Sequence, residues 1–323
     1  MLDLVRIVFM GTPAPVAPLL HRLHGMPGVQ VVSAVTAPDR PRGRGRQPEP
    51  PPVKLAAEAL DIPVLQPANL RQKGIQADLA ALSPDVIMVA AYGRFLPAAI
   101  LDLPPHGCLN LHPSLLPRHR GPSPVATAIL EGDDTTGVSL MLLDEGMDTG
   151  PVIAIADLPL TGSETTGELT ATLFEMGGAL LQENLQPWIN GLLRATPQDE
   201  TTATITRKLE RVDGLVHWWE PAETIARKCR AFDPWPGLYT HWQGKSLKLA
   251  DISAHPGFQT VSVAPGSVVT RGDGRGMNVA TGEGFITVNS LQLEGRRVVT
   301  GEEFLRGHPE IIGAILGTER ANC

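Results

Sequence analysis

At 323 residues the chain is long for one domain and accommodates two. Its 42% hydrophobic and 19% charged content is ordinary for a soluble globular protein, and no apolar run approaches the ~20 residues that span a bilayer. The net charge of −7 excludes a broadly basic nucleic-acid-binding protein, since residues 1–207 carry 14 Lys and Arg against 21 Asp and Glu and residues 208–323 carry 13 against 13. Any RNA contact must come from local patches. The N-terminal residues lack the basic and apolar regions of a secretion signal, and Cys108, Cys229 and Cys323 are too few and scattered for a disulfide framework. Both features predict a reducing, cytoplasmic setting.

Residues 4–10 read as a buried strand running into Gly11-Thr12-Pro13 and then a helix through Leu23. Residues 29–35, 62–65 and 85–91 read as further strands, the last reached by a helical stretch at 76–82. Val- and Ile-rich strands alternating with helices predict an α/β, doubly wound, mainly parallel and Rossmann-like sheet. Ligands of such sheets bind beyond the carboxyl ends of the strands, where Gly11-Thr12, Tyr92-Gly93 and the segment around Asn110 converge. The Gly11 turn lacks the glycine spacing and the Lys-Ser/Thr of a nucleotide loop. Residues 138–143 and 152–156 are strands around the Asp148 loop. Residues 165–188 have the apolar spacing of a long helix (Leu169, Leu173, Met176, Leu180, Leu181, Leu185) that covers the sheet.

Residues 191–207, with Gly191, Pro197 and a Thr-rich run, have a linker composition. Beyond them a helix at 222–230 precedes short β-like runs separated by Gly-bearing turns, which predict a smaller β-barrel, OB-like in kind. The expected organisation is a catalytic domain over 1–190, a linker over 191–207 and a C-terminal barrel-like domain over 208–323.

Two segments carry the chemistry: Gly107-Cys-Leu-Asn110-Leu-His112-Pro-Ser-Leu-Leu-Pro117 and Asp144-Glu-Gly-Met-Asp148-Thr-Gly150. On a strand end, Asn110 and His112 project from one face. Asn can donate to a developing oxyanion, His can accept a proton near neutral pH, and an Asp in a second loop can orient the imidazole and hold its tautomer. Those parts suffice for acyl transfer to an amine or to water. A lone Asn-x-His is more often a turn residue beside a satisfied histidine, but the crowding of Gly107, Pro113, Pro117, Gly121, Pro122 and Pro124 marks a loop held to one shape. Cys108 reads as a small buried residue, with a thiol nucleophile as the alternative. His106, Cys108 and His112 fit no zinc spacing, so no metal is expected.

This pair of motifs resembles the folate-dependent formyltransferases. The resemblance implies 10-formyltetrahydrofolate as formyl donor, with Asn110, His112 and Asp148 catalytic. It also implies a pterin lying against Tyr92, Gly93, Arg94, Phe95 and Leu96 and against Ser114, Leu115, Leu116 and Pro117. Within the family, three segments are similar to members that formylate methionyl-initiator tRNA: the loop Ala37-Pro-Asp-Arg-Pro-Arg-Gly-Arg-Gly-Arg46, Phe232-Asp-Pro-Trp-Pro-Gly237, and Thr136-Gly-Val-Ser-Leu-Met141. By itself the arginine loop reads as solvated surface. The resemblance instead assigns phosphate contacts to Arg40, Arg42, Arg44 and Arg46, with Lys54, Lys208 and Arg211, in a monomer without membrane association. Pro15 stands where the family usually has Phe, Gly121-Pro-Ser-Pro-Val125 replaces a Gly-Ala-Ala-Pro-Ile segment, and residues 208–323 are neutral where many relatives are basic. Another folate-dependent formyltransferase, or a formyltetrahydrofolate hydrolase using the same three residues, is the alternative.

Overall fold

A computed structural model describes residues 4–42, 47–256, 263–270 and 276–317. Arg44, Arg46 and Cys323 lie outside the described residues. The elements run β1 (Val5–Gly11), α1 (Ala17–His24), β2 (Val29–Val35), β3 (Arg40–Arg42), β4 (Gln47–Glu49), α2 (Pro52–Ala59), β5 (Val64–Leu65), α3 (Lys73–Ala81), β6 (Val86–Ala90), α4 (Ala98–Leu101), β7 (Cys108–His112), α5 (Pro124–Glu131), β8 (Thr135–Leu142), β9 (Val152–Pro159) and α6 (Thr166–Ile189). They continue through α7 (Ala222–Ala231), β10 (Leu238–Trp242), β11 (Lys245–His255), β12 (Val268–Thr270), β13 (Met277–Ala280), β14 (Phe285–Leu293), β15 (Val298–Thr300) and α8 (Gly301–Gly307). Two compact units result: Met1–Val125, Thr135–Pro159 and Glu168–Arg207 form the first, and Ala126–Asp134, Leu160–Gly167 and Lys208–Cys323 the second.

The first unit is built on a seven-stranded sheet in the order β5-β2-β1-β6-β7-β8-β9. The pairs from β5 to β7 are parallel, and β8 and β9 add an antiparallel edge. Strand order reverses between β1 and β6, the switch point at which doubly wound sheets bind ligands. Near-continuous apolar strands follow from cover on both faces. Ile7, Phe9, Met88, Leu109, Leu111 and Leu140 pack into one core, and Val8, Met10, Ile87, Val89 and Cys108 into the other. The third expected strand shortens to two residues. Asp61 sits in the left-handed region (φ 55°), and Pro63 has no N–H to give a ladder.

Helix α6 buries Leu169, Leu173, Leu180, Leu181 and Leu185, the stripe read from the sequence. Its backbone comes close to the sheet at Gly177 and to α1 at Gly178, because neither residue has a side chain. A Cβ on Gly177 would stand 3.1 Å from both Leu111 Cδ1 and Val138 Cγ2, and one on Gly178 would stand 3.0 Å from the Arg22 side chain.

The second unit holds a curled, antiparallel, six-stranded sheet, an open barrel-like arrangement with order β10-β11-β14-β13-β12 and β15 alongside β14. Alternation sets its core: Leu247, Leu249, Val279, Ile286, Val288 and Leu291 are buried. The buried Trp218 donates its indole N–H to Thr240 Oγ1 at 3.2 Å. Helix α7 buries Ile225 and Ala226, and Lys228 pairs with Glu220 across 2.5 Å. Among the described residues no helix is long and apolar enough to cross a membrane.

The tight approach of α6 yields a stability prediction. Gly177→Val should destabilise the first unit by about 1–3 kcal/mol, the usual cost of overpacking. Urea denaturation followed by circular dichroism reads this as a lower midpoint, and an unchanged midpoint would mean that α6 has room to spare.

Candidate active site

The five residues of β7 alternate as a strand buried on both faces requires. Leu109 and Leu111 enter one core, while Cys108, Asn110 and His112 share the other face. Asn110 lies between Val89 of β6 and Met141 of β8, and His112 opposite Ser139. Both polar side chains are nearly enclosed, Asn110 at 8% exposure and His112 at 4%. Among the described residues, none hydrogen-bonds the Asn110 amide. An amide N–H left without a protein partner can donate to an oxygen that enters the site.

After His112 the chain folds back on itself in a loop held by its own polar groups. Ser114 donates from Oγ to the Arg118 carbonyl at 2.7 Å, and Ser139 Oγ donates to the Ser114 carbonyl at 2.7 Å while accepting from Leu116 N at 3.1 Å. His119 then adopts φ 57°, its N–H donating to Thr204 Oγ1 at 2.8 Å. This fold brings the His119 carbonyl to 2.9 Å from His112 Nε2. A carbonyl can only accept, so Nε2 carries the proton and Nδ1 is left with the lone pair of the neutral ring.

Asp148 faces that lone pair, with Oδ2 3.6 Å from His112 Nδ1. The separation is longer than a normal hydrogen bond. Asp148 itself sits at φ 56°, a left-handed conformation that Asp tolerates better than most residues. Its Oδ2 accepts the Gly121 N–H at 2.8 Å. Asp144 shapes the loop from below, accepting from Gly146 N at 3.0 Å and Thr149 Oγ1 at 2.8 Å. Gly121 is required here: at φ 97° a Cβ would stand 2.8 Å from the Thr206 carbonyl. Gly150 is required too, because its Cβ would collide with the Leu142 carbonyl. The three residues expected to act together are therefore brought together. The tautomer, however, is fixed by the His119 backbone, and Asp148 supplies charge.

Of the residues assigned to the pterin, Tyr92 and Leu96 are buried in the same core as Cys108, and Phe95 is 62% exposed. Gly93 turns the chain at φ 76°. Arg94 stands 5.9 Å from the Tyr92 ring centroid and donates to the Pro67 and Ala68 carbonyls at 2.7 and 3.0 Å. Ser114 and Leu116 are buried, Leu115 lies against Gly137, and Leu116–Pro117 is a cis peptide. The Thr12 and Thr36 hydroxyls, just past the ends of β1 and β2, are buried without a hydrogen-bond partner among the described residues.

The residues that the resemblance assigns to phosphate fall partly in each unit. Arg40 and Arg42 lie on β3, which pairs with β4 so that Arg40 opposes Glu49. The Lys54 ammonium is 2.9 Å from Asp39, whose carboxyl is held below its ordinary range by hydrogen bonds from Gln66 and Lys54. In the second unit, Lys208 is exposed and Arg211 stands 6.0 Å from the Tyr239 ring centroid. Cys108 is no nucleophile. It is 1% exposed, its Sγ lies against the Ile100 carbonyl, and burial pushes its thiol up to about 12.

The sequence gives no local sign of several residues that build the site. The His119 carbonyl and Thr204 belong to this group, as do Arg120, Gln198 and Glu200. The last three lie in or against the stretch whose composition reads as a linker. That stretch runs along the first unit, with Thr196 exchanging two 2.8 Å hydrogen bonds with Val152 and Thr206 N donating to the Arg120 carbonyl at 2.8 Å.

Comparison with known proteins places the chain in a family. Residues 5–185 match the family described as Formyl transferase, and residues 208–309 match Formyl transferase, C-terminal domain. A protein of Roseiflexus sp. named Methionyl-tRNA formyltransferase is 46% identical over 94% of this chain and 92% of its own length. Among solved structures, HypX from Aquifex aeolicus in complex with tetrahydrofolic acid superposes with a TM-score of 0.62 at 20% identity. That match covers 95% of this chain, which spans about half (47%) of HypX. An N-formyltransferase from Helicobacter canadensis, in complex with folinic acid and dTDP-3-aminofucose, gives a TM-score of 0.64 at 16% identity, over 88% of this chain and 98% of that one. With a family match on each side of residue 200 and a curated relative aligned along nearly its whole length, the chain belongs to the formyl transferase family.

Proposed function

We propose that this protein transfers the formyl group of 10-formyltetrahydrofolate to the α-amine of methionyl-initiator tRNA, giving N-formylmethionyl-tRNA. The full-length similarity to proteins named for that reaction supports the substrate pair. The observation that carries the chemistry is the His112 ring, whose Nε2 is committed to a carbonyl and whose Nδ1 faces a carboxylate. In this reading the protein works as a cytoplasmic monomer.

10-Formyltetrahydrofolate supplies an activated formyl carbon for attack by the amine. Asn110 donates its uncommitted N–H to the formyl oxygen as negative charge develops there. His112 accepts the proton lost by the amine on Nδ1 and returns it to the leaving nitrogen. Asp148 stabilises the imidazolium while the Nε2 proton stays on the ring, hydrogen-bonded to the His119 carbonyl. No covalent enzyme intermediate is needed. Arg40, Arg42, Arg44 and Arg46, with Lys54, Lys208 and Arg211, meet phosphates of the RNA. Lys54 exchanges Asp39 for phosphate when it does so.

Turnover of methionyl-initiator tRNA, read as N-formylmethionine after alkaline release, tests these roles. Asn110→Ala should lower kcat by roughly 10²–10³-fold, the effect of removing one oxyanion donor. His112→Ala should lower it by ~10²–10⁴-fold. Binding of the folate should change far less, and a variant with near wild-type turnover would remove that residue from the mechanism.

Asp148→Asn is the finer probe. The amide oxygen can still accept the Gly121 N–H, so the loop keeps its shape while the charge beside Nδ1 is lost. Turnover should fall by roughly 10²–10⁴-fold, as at other His–carboxylate pairs. A rate within threefold of wild type would reduce Asp148 to a turn residue.

Charge neutralisation on RNA releases counterions, so binding should weaken as salt rises. Arg44→Ala should weaken use of charged tRNA and lower the slope of log K against log salt by about one, leaving folate affinity alone. An unchanged slope and affinity would leave the arginine loop as solvated surface.

A further inference from the structure

The site contains a polar tie that none of the three catalytic residues explains. Gln198 donates from Nε2 to two carbonyls at once, Asp148 O at 2.8 Å and Gly150 O at 2.7 Å. Its Oε1 accepts from Arg120 Nε at 2.9 Å. The two remaining arms of the Arg120 guanidinium grip Glu200, NH1 on Oε2 at 2.9 Å and NH2 on Oε1 at 2.8 Å. The Arg120 side chain is 4% exposed, whereas Glu200 is largely open to solvent.

The tie joins the two loops that flank the His112 ring. One loop delivers the His119 carbonyl to Nε2, and Arg120 is the next residue along it. The other delivers Asp148 Oδ2 to Nδ1, and Gln198 holds the carbonyls of the residues on either side of Thr149 in that loop. The Gly121 N–H links them a second time, through Asp148 Oδ2. A primary amide suits the post because it offers two donors and an acceptor at one point. A bidentate Arg–carboxylate pair fixes the guanidinium plane that Gln198 reads.

We infer that Gln198, backed by Arg120 and Glu200, is a positioning residue for the transfer: it sets the separation of the two loops and so holds His112 between its carbonyl and its carboxylate. The inference deepens the reading above and rests on it for the substrate. The geometric part, however, concerns His112 alone and is measured without substrate. Loss of the tie should let the loops drift by a fraction of an ångström or more, enough to cost up to ~10²-fold when a catalytic group is misplaced.

Gln198→Glu and Gln198→Ala in the full chain test it. The Glu variant keeps volume and can still pair with Arg120 but has no N–H for the two carbonyls. Three measurements are taken on each. Imidazole 15N spectra, with His112 assigned from the His112→Ala spectrum, report which ring nitrogen holds the proton in the neutral form. Steady-state kinetics separate kcat from KM for 10-formyltetrahydrofolate and for methionyl-initiator tRNA. Urea midpoints confirm that the fold stands, and should the Ala variant not fold, the Glu variant decides.

The expected result is a wild-type His112 held as the Nε2–H tautomer and a mixed or exchanging tautomer in the variants. Turnover should fall about 10–100-fold, and both KM values should stay within about threefold. A wild-type tautomer in the variants, or an unchanged kcat, would overturn the inference. A tautomer that shifts in a protein unable to formylate tRNA would instead overturn the substrate reading and leave the tie intact.

Discussion

One imidazole held between unlike neighbours is the constraint from which the rest of the first unit can be understood. The His119 carbonyl consumes the Nε2 proton, leaving Nδ1 as the basic atom 3.6 Å from Asp148. A neutral histidine free in solution shares its proton between both nitrogens, and only a committed acceptor removes that choice. Keeping the acceptor in place requires a backbone turn through φ 57° at His119 and the hydrogen bond from its N–H to Thr204. Keeping the carboxylate in place requires a second left-handed residue, Asp148 at φ 56°, and glycines at 121 and 150. Non-glycine residues with positive φ are uncommon, and here two of them stand on either side of the ring.

The sheet sets where these loops start. Gly11 lies beside Ala90, and Asn110 beside Val89, across the parallel strands β1, β6 and β7. The antiparallel β8 ends at Leu142, opposite Leu109, so the loop over 143–151 leaves the sheet at the amino end of β7 and runs along that strand for Asp148 to reach His112. Close packing of α6 on this sheet, through Gly177 against Leu111 and Val138, anchors the strand that carries Asn110 and His112.

Much of this was legible in the residues. The β7 alternation, the apolar stripe of α6 and the paired spacing of Asn110 and His112 all follow from period-2 and period-3.6 patterns that tertiary contacts reinforce. The positions of β1, β2 and β6 were readable for the same reason, whereas β5 is shortened at Asp61 and Pro63, β8 starts three residues before the expected 138, β9 runs three residues past the expected 156, and β3 and β4 were not foreseen. What stayed hidden depends on the backbone and on distant sequence. A carbonyl oxygen belongs to every residue, so nothing marks His119 as the acceptor for His112. Gln198 and Thr204 sit in a Thr-rich stretch whose composition indicates exposure, although their hydrogen bonds run to residues 78 and 85 positions earlier. The resemblance implies a pterin against the run from Tyr92 to Leu96, within which the Tyr92 and Leu96 side chains are buried in the core with Cys108. Sequence gives position along a strand readily and the depth of a side chain less so.

Asn110, His112 and Asp148 can serve water or an amine as acceptor, and this site delivers the formyl group to the amine. Radiolabelled 10-formyltetrahydrofolate incubated with the protein, with and without methionyl-initiator tRNA, measures this directly by partition of the label. Label should leave the folate only when charged tRNA is present and should appear on the methionyl α-nitrogen in equal amount. Steady release of labelled formate at the same rate without tRNA would contradict the claim and make the protein a hydrolase.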